Sequence, residues 1–94
     1  MTVIYEKPHE IIRVFADFQV PHLGKGAVER FGNVRPVAFF WGGRRYEVKK
    51  VNLIFRKQRG DRYDICFAVS DEANAFVLSY NPESMEWWLE EVRC

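Results

Sequence analysis

The side chains that could act as nucleophiles, acids or metal ligands are few and scattered along the chain. The 94 residues include two histidines and two cysteines, and neither His9 nor His22 has a second ligand at metal spacing. Cys66 lies within a strand-like run and Cys94 is the final residue, a poor disulfide framework that is typical of a reducing compartment. The serines show no nucleophile-elbow motif, and the glycines form no phosphate-binding loop.

The adjacent pair Glu90–Glu91 is the remaining candidate for acid–base chemistry. Successive residues of a strand point to opposite faces, so we expect the two carboxylates to lie apart. The sequence therefore predicts a protein that is not an enzyme and that uses no metal, cofactor or small-molecule substrate.

The strongest indication of binding is a segment rich in cations and aromatic rings. Residues 44–62 hold eight Lys or Arg against two acids, a net charge of +6, whereas residues 63–94 hold one against seven, a net charge of −6. Either the two segments neutralise each other across neighbouring strands or each presents a face to a partner. Cations interleaved with rings can follow phosphates and stack bases, which indicates nucleic-acid binding. The candidate contacts are Arg44, Arg45, Lys49, Lys50, Arg56 and Trp88.

A protein-binding or self-associating module is the interpretation that we favour over nucleic-acid binding. The run 36–41 and the pair Trp87–Trp88 each offer aromatic rings to both sides of a sheet, more apolar surface than one small core can hide. Aromatic and arginine side chains also suit protein interfaces. We therefore expect a protein partner or a second copy of the chain, with nucleic acid as the alternative, and no membrane.

Length and composition predict one small domain rich in strands. The chain can bury a single modest core. Apolar residues make up 48% and aromatic residues 16% of the sequence, which favours β-structure over disorder. Thr2–Tyr5 is followed by charge at Glu6 and Lys7, a start without a secretory or membrane-spanning pattern, so we expect a cytoplasmic protein.

Alternation of apolar and polar residues predicts an all-β antiparallel meander of five to six strands. Gly42–Gly43 supplies the positive φ angles of a type I′ hairpin turn. The apolar residues Tyr46 and Val48 occupy even-numbered positions, whereas Val51, Leu53 and Phe55 occupy odd-numbered positions. One extra residue would bring the two sets into register, which predicts a β-bulge near residues 49–50 in a long, bent strand. Residues 19–35 show no period and predict a long loop. The predicted strands cover residues 9–18, 36–41, 44–57, 62–70 and 75–80.

The C-terminal segment allows two interpretations. The first interpretation is a short helix over residues 83–93. It is supported by Asn81 as N-cap, by Pro82 at the first helical position and by apolar residues at helical spacing. Alternatively, residues 81–84 form a turn, and Met85, Trp87 and Leu89 face inward on a final strand. Periodicity alone favours the helix, whereas the paired tryptophans and the short connections favour the strand.

The predicted central hairpin also carries a family resemblance. Its residues follow the pattern P-x-x-F-x-W-x-G-R-x-Y-x-V, formed by Pro36, Phe39, Trp41, Gly43, Arg44, Tyr46 and Val48. This pattern resembles the signature of a small family of uncharacterised bacterial all-β domains, some of which occur beside genes for Y-class DNA-repair polymerases. Residues 63–69 and 76–80 resemble the family's later strands, and residues 87–89 resemble its closing strand. Residues 19–35 depart from its shorter link. The resemblance implies a twisted, partly closed antiparallel sheet with a strand at the C-terminus, and it implies no established activity.

Overall fold

The computed structural model describes residues 5–6, 9–18 and 34–93, and the regular structure in these ranges is β-strand. Most of the predicted loop at 19–35 lies outside the described residues, and its last two residues begin a strand. No helix that could cross a membrane occurs within the described ranges. The strands are β1 (Tyr5–Glu6), β2 (Glu10–Phe18), β3 (Val34–Trp41), β4 (Arg44–Glu47), β5 (Lys50–Arg59), β6 (Arg62–Ser70), β7 (Ala75–Asn81) and β8 (Glu86–Arg93).

All pairings in the sheet are antiparallel, as predicted. The strand order is β4-β3-β2-β8-β7-β6-β5, and the short β1 pairs with the far end of β8. The interpretation of the C-terminal segment as a strand is confirmed, because β8 pairs with β7 along one edge and with β2 along the other. Tertiary pairing on both sides thus outweighs the helical period of this segment.

The described residues form eight strands, compared with the five to six predicted, partly because the predicted strand 44–57 divides where it bends. The Val48 amide donates to the Val37 carbonyl of β3 at 2.8 Å, and the Lys49 amide donates to the Ser70 carbonyl of β6 at 2.9 Å. One bent segment therefore links the two ends of the strand order. Its halves, β4 and β5, follow each other along the chain and do not pair with each other, so the sheet is not closed into a barrel.

The core lies where the β2–β3–β4 part of the sheet folds over β6, β7 and β8. The Phe39 side chain is fully buried, with its ring 4.9 Å from that of Phe76 and 5.3 Å from that of Tyr46. Burying a ring of this size contributes about 2 kcal/mol. Trp41 and Tyr46 pack against this cluster, so these two hairpin side chains contribute to the core together with Phe39.

The predicted phase change in the bent segment occurs, but a second one follows it. Val51 opposes Val69 and Leu53 opposes Ala68, which leaves Asn52 as an extra residue in β5. After this bulge Ile54 packs against the core, whereas the Leu53 side chain is 57% exposed. The prediction that Leu53 continues the inward face of Val51 is therefore wrong, because each extra residue reverses the alternation of faces.

Candidate functional site

A bulge in β8 positions Glu90. Val77 opposes Glu91 and Leu78 opposes Leu89, so Glu90 is the additional residue of the pair. On the other edge of β8 the chain passes from β1 to β2 through His9, whose φ is 47°. Bulges redirect side chains away from the regular alternation, and these two irregularities bring His9 and Glu90 into contact.

A hydrogen-bonded cluster surrounds Glu90. Its carboxylate accepts hydrogen bonds from Arg59 Nη2 at 2.8 Å and Ser79 Oγ at 3.1 Å, and it lies 2.8 Å from His9 Nδ1. Arg59 Nε also donates to Asp64, and Asn81 Nδ2 lies 3.3 Å from the other Asp64 oxygen. We call this set the Glu90 cluster: His9, Arg59, Asp64, Ser79, Asn81 and Glu90.

The charges of the Glu90 cluster are mutually compensated. Burial raises the pKa of Glu90, but hydrogen bonds and charge from Arg59 and His9 outweigh burial and hold that pKa below its ordinary value. Burial likewise opposes the charge of Arg59, whereas Glu90 and Asp64 raise its pKa overall. The cluster therefore places the guanidinium of Arg59 between the carboxylates of Asp64 and Glu90.

A groove of about 470 Å³ lies beside the cluster, lined by His9, Lys57, Cys66, Glu90 and Glu91 among others. Both glutamates reach it, so the expectation that they lie apart is wrong, because the bulge breaks the alternation at Glu90. Burial and the charge of Glu90 raise the pKa of the Cys66 thiol to about 11, which leaves it neutral and weakly nucleophilic at pH 7. Within the described ranges no set of three or more His, Cys, Asp or Glu side chains could hold a metal ion.

The sequence did not reveal the Glu90 cluster. Arg59, Asp64 and Glu90 lie on three strands, and their contacts depend on a bulge that no residue type marks. The only available signal was the opposite charge of the segments that contain Arg59 and Glu90.

The predicted contact residues of β4 divide between the two sides of the sheet. Arg44 lies over the ring of Tyr46, 5.6 Å from its centroid, on the side of the core. Arg45 lies over Phe15 at 5.5 Å on the outer side. The alternation of the strand therefore separates these two arginines.

The other predicted contact residues are also dispersed. Lys49 Nζ donates a hydrogen bond to Glu47 at 3.0 Å. Both side chains are exposed, and their contact raises the pKa of Lys49 and lowers the pKa of Glu47. The guanidinium of Arg56 covers the ring of Tyr63 at 4.1 Å, and Trp88 stacks on His9 with centroids 6.5 Å apart. Lys50 is exposed at the start of β5. The structure thus does not gather the six residues on one face.

The open part of β2 forms a second groove. Residues 10–12 pair with β8, whereas residues 13–18 pair with β3 and have no second strand beside them among the described residues. A space of about 540 Å³ opens there between residues 11–16 and residues 85–87. We call it the β2 edge groove.

The side chains around the β2 edge groove are apolar and exposed. Ile11 is 66%, Met85 61% and Phe15 48% exposed, and the Phe15 ring also meets Phe40 edge to face at 5.6 Å. The sequence predicts a strand at residues 9–18 but does not indicate this surface, because periodicity does not show which strand edges remain unpaired.

Comparison of the chain with protein-family models, with curated proteins and with solved structures gives no match. The resemblance of the hairpin to a bacterial all-β family stays a prediction.

Proposed function

We propose that the protein is a non-catalytic binding module that accepts an extended strand of a partner chain along the β2 edge groove. The observation that carries this proposal is that, among the described residues, residues 13–18 of β2 pair with β3 alone. Main-chain N–H and C=O groups at an open edge are a template for another strand. A protein segment in extended conformation satisfies them, and a nucleic acid does not.

The side chains beside the groove support a protein partner. Three exposed apolar residues, Ile11, Phe15 and Met85, lie along a strand edge, and Arg13 is exposed between the first two. Aromatic, methionine and arginine side chains are enriched in protein interfaces. Such an edge supplies affinity through the main chain and selectivity through alternate side chains.

The Glu90 cluster supports a non-catalytic role. Both carboxylate oxygens of Glu90 already accept hydrogen bonds, and the described chain has no buried side-chain polar atom without a partner. A catalytic acid or base must lie within hydrogen-bonding distance of a bound substrate, and the Glu90 oxygens are already engaged within the protein. The buried free thiol of Cys66 suits a reducing compartment, so the proposal includes a cytoplasmic location.

Nucleic-acid binding is the second candidate, favoured by one observation. Arg44, Lys50 and Arg56 form no ion pair with any described carboxylate, so their charge is available to phosphates. The aromatic rings weigh against it, because Tyr46 packs in the core and Tyr63 is covered by Arg56. Titration with labelled oligonucleotides at low salt tests this candidate: binding that weakens steeply with added salt supports it, and no binding excludes it.

Amide hydrogen exchange tests strand acceptance in the protein at high dilution. Alternate amides of residues 13–17 that point away from β3 should exchange rapidly, whereas Leu78 in the centre of β7, a strand paired on both edges, should exchange slowly. Strong protection of every amide in 13–17 would contradict the proposal, because the edge would then be covered by the chain itself.

A further inference from the structure

We propose that the β2 edge groove binds β2 of a second copy, antiparallel, about a two-fold axis that passes through Phe15. This inference rests on the proposed strand acceptance and names its occupant. An isologous contact of this kind closes at two copies, because each chain presents the same edge to the other.

The charges along the open edge select this register. In an antiparallel pair centred on Phe15, Arg13 of one copy lies opposite Asp17 of the other, and the symmetry forms this pair twice. Both side chains are exposed on the outer side of β2. Centring on Ala16 would place Phe15 opposite Asp17, and centring on Val14 would place Arg13 opposite Phe15. Only the axis at Phe15 pairs opposite charges.

The same register matches the apolar side chains on both sides of the strand. Val14 and Ala16, which pack against the core, would oppose each other across the axis. The two Phe15 rings, each 48% exposed, would meet on the outer side. Asp17 lies opposite Arg35 of β3 within its own chain, so the second copy would add Arg13 on its free side. The β2–β3–β4 sheet then continues into its copy.

Disulfide trapping tests the axis directly. In a Cys94→Ser background, Phe15→Cys should form a covalent dimer under mild oxidation as the dominant species, because residue 15 faces its own copy. Arg13→Cys is the matched control. Its two copies would be offset by four residues, about 13 Å, beyond the reach of a disulfide. Equal cross-linking of the two variants, or none with Phe15→Cys, overturns the proposed axis.

Charge reversal tests the register by sedimentation from low micromolar to submillimolar concentration. Arg13→Asp should weaken self-association about tenfold, because two exposed ion pairs become repulsive contacts. Asp17→Arg should do the same, and the double variant should recover most of the affinity. Loss without recovery in the double variant contradicts the Arg13–Asp17 pairing. Because Asp17→Arg also faces Arg35, Asp17→Asn serves as the milder variant, with a smaller expected loss.

The two proposals fail in different ways. Rapid exchange of the outward amides of β2, together with a monomer at all concentrations and no Phe15→Cys dimer, would overturn the second copy as occupant and leave strand acceptance standing. Protection of the whole edge in dilute monomer would overturn both.

Discussion

Glu90 joins three side chains that lie far apart in the sequence. His9, Arg59 and Ser79 all contact its carboxylate, and they belong to the β1–β2 connection, β5 and β7. The cluster therefore ties four neighbouring strands together on the side of the sheet opposite the aromatic core. Asp64, Ser79 and Asn81 are the buried members, and because they are polar each must remain paired to stay buried.

The pKa of Glu90 predicts how stability changes with acid. Because contacts with Arg59 and His9 hold that pKa below its ordinary value of 4.5, the ionised carboxylate stabilises the fold fully above that value, and this contribution is lost as the pH falls through the lowered pKa. Urea unfolding between pH 6 and pH 3 should therefore show a steeper acid loss in the wild type than in Glu90→Gln. Parallel curves for the two proteins would contradict the assignment.

Removing Arg59 should be costly, because it leaves two carboxylates without their cation. The Asp64 side chain is 2% and the Glu90 side chain 11% exposed. Arg59→Met keeps most of the apolar stem and should lower the free energy of unfolding by about 3 kcal/mol. Arg62→Met, an exposed control three residues away, should change it by less than about 0.5 kcal/mol. Adding Glu90→Gln to Arg59→Met should restore part of the loss, which a double-mutant cycle measures.

The β3–β4 hairpin is the element that the sequence specifies most fully. Gly42 and Gly43 have φ angles of 61° and 77°, as the predicted type I′ turn requires, and Trp41 opposes Arg44 across it. Local chemistry suffices here, because two positive φ angles and one short turn define the pairing of both strands.

The turn predicts a graded effect of substitution at Gly42. A Cβ at this position meets no atom within 4 Å, so only the backbone conformation opposes it. Gly42→Ala should destabilise by about 1 kcal/mol, a fall in Tm of about 4–8 °C for a domain of this size. Gly42→Asn should cost much less, because asparagine adopts the left-handed conformation readily. Equal Tm values for the two variants would show that the positive φ angle does not limit the turn.

The bent segment from β4 to β5 was predicted in outline but not in detail. Its parity change was visible in the sequence, whereas the extra residue at Asn52 was not. A bulge is selected by the strand that lies opposite, and β6 supplies that constraint only in the folded chain. This is why Leu53 is exposed although its parity matches that of Val51.

At the scale of the whole molecule, the basic and acidic segments neutralise each other in part. Arg59 bridges to Asp64 and Glu90. The pKa of Lys49 is raised mainly by Glu47 of its own segment and to a smaller extent by Glu72 and Asp71 on the β6–β7 connection. Other basic side chains, Arg44 and Arg56, lie over aromatic rings instead. The sheet therefore carries local pairs and isolated cations rather than one continuous basic face.

If the chain self-associates through β2, its thermal stability should depend on concentration. Binding that involves the folded state alone raises Tm as the protein concentration rises. We expect Tm to increase from low micromolar to submillimolar wild-type protein and to increase less over the same range for Arg13→Asp, as measured by calorimetry. A concentration-independent Tm for the wild type would contradict self-association.

The sequence by itself determined the all-β class, most strand positions and the hairpin turn, because period-two alternation and glycine chemistry act over a few neighbouring residues. It left helix and strand open at the C-terminus. Only the tertiary structure made β8 a strand flanked by β2 and β7 and joined His9 and Arg59 to Glu90. It also left residues 13–18 of β2 with one strand partner within the part of the chain that the structure describes. These features depend on which edges meet and where a ladder gains a residue, and such long-range pairings leave no local trace in residue type or spacing.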